Sequence, residues 1–108
     1  MTKSFTNRVY DKTKMIPKGK VSTYGEIARS LHSNAYRAVG QALRHNPYAP
    51  KVPCHRVISS DLTVGGFSGH TSGPDIQRKI RMLKEEGVRF EGKKISRECL
   101  HRFTRSRG

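Results

Sequence analysis

Tryptophan is absent from the 108 residues and aromatics make up only 7% of them. No indole can anchor the interior, so the core has to be assembled from Val, Ile, Leu, Phe and Tyr. Acid is scarce: 8 aspartates and glutamates stand against 22 lysines and arginines, a formal charge of +14. That imbalance exceeds what solubility asks for and points to a polyanionic partner. Long apolar runs are missing as well. None approaches the roughly 20 residues of a spanning helix, and nothing reads as a signal peptide. Nucleic acid is therefore the expected polyanion rather than a membrane surface, and the expected location is inside the cell with access to DNA, a nucleoid or a nucleus. Cysteine is limited to Cys54 and Cys99, whose chemically unlike surroundings predict free thiols rather than a disulfide. No Cys-x-x-Cys and no paired histidine spacing occurs, so no metal and no cofactor are expected.

The length suits one domain with one core. Phe5, Val9, Tyr10 and Met15 recur at helical spacing before Pro17 and Gly19 break it. Ser22 or Thr23 can cap a helix from Tyr24 to Leu31, with Ile27, Ala28 and Leu31 on one face. After His32-Ser33-Asn34, a second helix over 35–45 carries Ala35, Val39, Ala42 and Leu43 on one stripe and Arg37, Gln41 and Arg44 off it. Two short helices joined by three residues predict a helix-turn-helix. Val57–Ser60 and Leu62–Val64 around Asp61 read as a hairpin, and 65–73 as a glycine-rich loop. Asp75 to Glu86 returns to helical spacing through Ile76, Ile80, Met82 and Leu83, and Gly87 stops it. The expectation is a mainly α winged helix-turn-helix over residues 1–90, followed by a basic, flexible tail over 91–108. Such a fold by default lays its second helix in the DNA major groove.

Three prolines between Asn46 and Pro53 exclude regular structure and stiffen the chain ahead of Cys54. The segment Pro53-Cys54-His55-Arg56-Val57 then sets a thiol beside an imidazole and a guanidinium. A lone cysteine is ordinarily a small buried hydrophobe; cationic and hydrogen-bonding neighbours instead favour the nucleophilic thiolate. A papain-like hydrolase would bring its Cys and His from distant segments, not from adjacent positions.

These residues closely resemble the C-terminal domain of the O6-alkylguanine-DNA alkyltransferases. The hallmark Pro-Cys-His-Arg-Val is present, with Asn46 eight residues before Cys54. Ordered matches extend through 21–28, 37–47, Phe67-Ser68-Gly69 and 83–87. The resemblance implies that Cys54 accepts an alkyl group irreversibly, once per molecule, from O6-alkylguanine flipped out of duplex DNA. It implies His55 as a water-linked base, Glu86 as the carboxylate that orients it, Asn46 as the side chain that fixes the cysteine turn, and Tyr24 as a donor to the guanine ring. The Ser68 amide would face the guanine oxygen, and the Cys54 and Val57 carbonyls would accept from the exocyclic amine, with Phe67 also in the pocket. Arg37 would occupy the vacated base stack, and Ala38, Gly40, Leu43 and Arg44 would lie along the DNA. The family is similar in using the minor groove and extruding a nucleotide, which displaces the major-groove default. A monomer is implied, with cooperative binding on DNA left open.

Two departures stand out. Phe67 replaces a usual tyrosine, and 70–73 adds length to the loop. The chief alternative is an alkyltransferase-like damage sensor, which binds O6-alkylguanine without chemistry and hands it to nucleotide excision repair; Cys54 argues against it. A winged-helix transcription factor would leave the cysteine segment without a reason.

Overall fold

A computed structural model describes residues 4–49, 51–64 and 73–103. Helix α1 spans Phe5–Lys14, started by Ser4, whose hydroxyl accepts from the Asn7 N–H. A two-residue strand β1, Ser22–Thr23, runs directly into α2, Tyr24–Ser30. Thr23 is the cap of the two candidates: its side chain accepts from the Glu26 N–H at 3.0 Å. Helix α3 follows over Tyr36–Arg44. Val39, Ala42 and Leu43 bury against α1 and α2, as the 3.6-residue period requires, whereas Ala35 caps the helix in solvent instead of joining the stripe. The hydroxyl of Tyr10 donates to the Ala42 carbonyl at 2.8 Å and ties α1 to α3.

A 3-10 turn over Cys54–Arg56 leads into β2, Val57–Ile58, which pairs parallel with β1 in the register Ser22 with Val57 and Thr23 with Ile58. The hairpin expected around Asp61 does not form a ladder. Ser59 and Thr63 close a tight turn there, with Leu62 at φ +73° and Asp61 accepting from both the amide and the hydroxyl of Thr63. Asx chemistry made a turn out of a stretch whose apolar alternation suggested strands. Helix α4, Pro74–Glu85, starts with proline and ends at Gly87 in the left-handed region, φ +94°.

Structure continues past the expected boundary at residue 90. Strands β3, Phe90–Glu91, and β4, Lys94–Ile95, form an antiparallel hairpin, and a 3-10 turn follows over Arg97–Cys99. Val21 donates to the Cys99 carbonyl at 2.8 Å and accepts from the His101 N–H at 2.6 Å. The flexible tail expected from residue 91 is thus corrected for 91–103, where Ile95, Ser96 and Cys99 are buried and the basic residues between them conceal that pattern; residues 104–108 lie outside the described set.

The single core expected from length is divided in two. One cluster joins α1, α2, α3 and Val57; the other gathers Val21, Ile58, Leu83, Val88, Ile95 and Cys99. Strand alternation explains the division, because Val57 and Ile58 point to opposite faces of β2. Cys54 sits against the first cluster, just before this partition.

Candidate active site

The cysteine turn is held from behind by Asn46. Its side-chain amide donates to the Val52 carbonyl and its side-chain oxygen accepts from the Tyr48 N–H, each at 2.8 Å. Cys54 in turn donates its backbone N–H to the Val52 carbonyl at 2.8 Å. Asn46 therefore anchors the residue on which the Cys54 backbone hangs and does more than end α3. Cys54 is a half-buried free thiol.

Behind the thiol lies a charged network. The His55 ring, only 4% exposed, meets Glu86 through Nε2 at 2.9 Å. Arg56 grips the same carboxylate with two parallel bonds, Nε to Oε1 at 2.9 Å and Nη2 to Oε2 at 2.8 Å, the strong forked geometry available to a guanidinium. Its third arm donates from Nη1 to the Ile16 carbonyl at 2.9 Å. Glu86 occupies the C-cap of α4, so the helix end delivers the carboxylate beneath the turn.

Electrostatics follow from this packing. Burial pushes Glu86 up, but hydrogen bonds from Arg56 and His55 outweigh it and hold the carboxyl below its usual range, so it is ionised at neutral pH. Burial holds the imidazole of His55 below its usual value; Glu86 opposes that, and Arg56 and Lys79 add to it. A neutral ring backed by a carboxylate can take a proton and be stabilised once it has. Tyr24, at the first turn of α2, packs against the same cluster as Cys54. Burial first, and the cysteine's charge second, push its hydroxyl up to about 12; it stays protonated and able to donate.

Cys54, His55, Glu86, Asn46, Tyr24 and Val57 are therefore drawn together. Phe67 and Ser68 lie outside the described residues. On α3, Arg37, Ala38 and Arg44 are exposed and Gly40 is half-buried, but Leu43 is only 6% exposed and belongs to the core. Its expected place along the DNA is corrected, because four residues after Val39 it shares the inward face. Two further cations are turned away from any outside partner: Arg56 is committed to Glu86 and Ile16, and Lys79 is wholly buried. Arg78 lies 3.3 Å from Asp75, while Arg44 and Lys51 are exposed.

Sequence reasoning missed the Arg56 clamp and the burial of Lys79. The signal for the second was present: Ile76, Lys79 and Leu83 stand at i, i+3 and i+7 on one helix face.

Residues 4–88, covering this whole assembly, match the family model for the DNA-binding domain of 6-O-methylguanine DNA methyltransferase. The chain belongs to that family. Among curated members of the family, the methylated-DNA–protein-cysteine methyltransferase of Thermococcus sibiricus is 42% identical over 89 residues, which is 82% of this chain and 47% of the relative. That of Methanosarcina barkeri is 48% identical over 75 residues, 68% of this chain and 46% of the relative. The chain thus spans about half the length of the curated relatives it matches. Among solved structures, Mycobacterium tuberculosis OGT in complex with DNA superposes with a TM-score of 0.69 at 40% identity, over 81% of this chain and 52% of that one. S. pombe Atl1 in complex with damaged DNA containing O6-carboxymethylguanine gives 0.64 at 46% identity, over 79% and 77%. The alkyltransferase-family helix-turn-helix is here α2 and α3. The hairpin this chain forms among the described residues lies at 90–95, beyond the matched residues, and not at 57–64.

Proposed function

We propose that this protein repairs alkylated DNA inside the cell by taking the alkyl group of O6-alkylguanine onto Cys54. The observation that carries this reading is a half-buried free thiol at the head of a turn whose next residue, His55, has its ring backed by an ionised, arginine-clamped glutamate. The thiol proton passes through a water to His55, and Glu86 stabilises the imidazolium. The Cys54 sulfur forms a bond to the alkyl carbon, the bond from that carbon to O6 breaks, and its electron pair leaves on the guanine. The Tyr24 hydroxyl donates to the ring as negative charge collects there. The thioether is stable, so each molecule acts once and needs no cofactor.

Delivery of the base falls to α3. Arg37, exposed at its first turn, fills the space vacated by the extruded nucleotide from the minor-groove side. A Cβ built on Gly40 would meet nothing within 4 Å, so no contact among the described residues explains a residue that weakens a helix by about 1 kcal/mol relative to alanine. Close approach of a DNA backbone supplies the reason. The excess of positive charge draws a monomer to phosphates without reading sequence.

A second reading, a damage sensor that binds without transfer, is favoured by the likeness to S. pombe Atl1, solved in complex with damaged DNA containing O6-carboxymethylguanine and 46% identical to this chain. Intact mass before and after incubation with a duplex carrying O6-methylguanine separates the two. A gain of one methyl group mapped to Cys54, abolished in Cys54→Ser with lesion binding retained, is the expected result. Tight lesion binding with no change of mass would establish the sensor.

A further inference from the structure

Lys79 is the largest fully buried side chain among the described residues. Its stem shares the inward face of α4 with Ile76 and Leu83. Its ammonium donates to the Val57 carbonyl at 2.8 Å and also to the carbonyl of Val64. One group on α4 therefore ties together the exit of the cysteine turn and the chain just past the Asp61 turn. The cost of this arrangement is visible: burial pushes the lysine down to about 7, and the charge of Cys54 only partly opposes it. A methionine would fill the volume without that penalty. Filling the volume gives no reason for an ammonium here; the reason lies with the carbonyls it bonds.

The Val57 peptide supplies one. Its N–H donates to the Cys54 carbonyl, so it is pinned on one side by the turn and on the other by Lys79. A carbonyl oxygen has two lone pairs, and Lys79 engages one. We propose that Lys79 is the positioning residue for base recognition, holding the Val57 carbonyl so that its second lone pair accepts from the exocyclic amine of the extruded guanine. This rests on the alkyltransferase reading, in which Val57 is that acceptor. Selectivity for a 2-aminopurine is then set from α4, through a residue that never touches the base.

The test compares two duplexes, one with O6-methylguanine and one with O6-methylhypoxanthine, the same lesion without the amine. Transfer rate and equilibrium affinity are measured for the wild type, Lys79→Met and Lys79→Gln. The wild type should prefer the amine by about tenfold, the worth of one ordinary hydrogen bond. In Lys79→Met the loss should fall on O6-methylguanine alone and bring the ratio close to one; Lys79→Gln, which keeps an N–H donor, should retain part of it. Equal losses on both duplexes would reduce Lys79 to a structural role and overturn the proposal. So would a wild type indifferent to the amine. If Lys79→Met does not fold, Lys79→Gln is read by the same criterion. Should the wild type transfer to neither duplex, the alkyltransferase reading fails, while the affinity ratio still decides the role of Lys79.

Discussion

Around Cys54, the side chains of Arg56, His55, Glu86 and Lys79 turn inward and find partners within the chain. Along α3, Arg37, Gln41 and Arg44 stand in solvent with no side-chain partner among the described residues. Residue types are shared between the two regions, yet their polar groups are used oppositely. The inward set fixes one geometry and makes stability depend on it; the outward set contributes little to folding and is available to a partner. A charged residue near a site is thus informative only once its hydrogen bonds have been followed.

Glu86→Gln should break this contrast hardest. It leaves Arg56 and His55 without their carboxylate, and a loss of about 3 kcal/mol is expected for stripping one partner from a largely buried ion pair, measured by urea denaturation. A loss below 1 kcal/mol would put the network on the outward side of the comparison. Lys79 gives the next largest effect, read through pH. Its folded value of about 7 lies below the unfolded value of a lysine, so between these limits the unfolded chain binds more protons. Stability should therefore rise with pH from about 7 toward 10. In Lys79→Met that rise should vanish; an unaltered slope would remove Lys79 as its source. Tyr10→Phe, which deletes the bond from α1 to the Ala42 carbonyl, should cost about 1 kcal/mol and leave the helices in place. Arg37→Ala and Arg44→Ala define the other end. Each should alter stability by less than about 0.5 kcal/mol. Arg37→Ala should slow transfer from duplex DNA, and Arg44→Ala should reduce the salt dependence of binding by about one phosphate contact. Destabilisation comparable to Glu86→Gln would erase the distinction between the regions.

What the sequence discloses follows the same division. The helices α2, α3 and α4 were legible from apolar spacing, and the start of α2 and the end of α4 from Thr23 and Gly87, because caps and periodicity are local. The cysteine turn was legible through the motif and through Asn46, whose Asx chemistry acts within six residues. The parallel pairing of β1 with β2 was not, since two-residue strands carry no period and their partners lie 35 positions apart. Nor were the β3–β4 hairpin and the buried Cys99, which alternate with arginine and lysine in a stretch that composition marks as a solvated tail. Nor was the burial of Arg56 and Lys79, since burial of a charge is decided by partners that only the fold supplies.

The pairing of Val21 with Cys99 and His101 bears on how the protein is made. During synthesis from the N-terminus, β1 emerges early with an open edge and must wait for some eighty further residues. The second cluster cannot close until Cys99 has cleared the ribosome, so the nascent chain carries Val21, Ile58 and Leu83 uncovered until that segment has been made. Trimming the gene to the residues matched by the family model would make that transient exposure permanent.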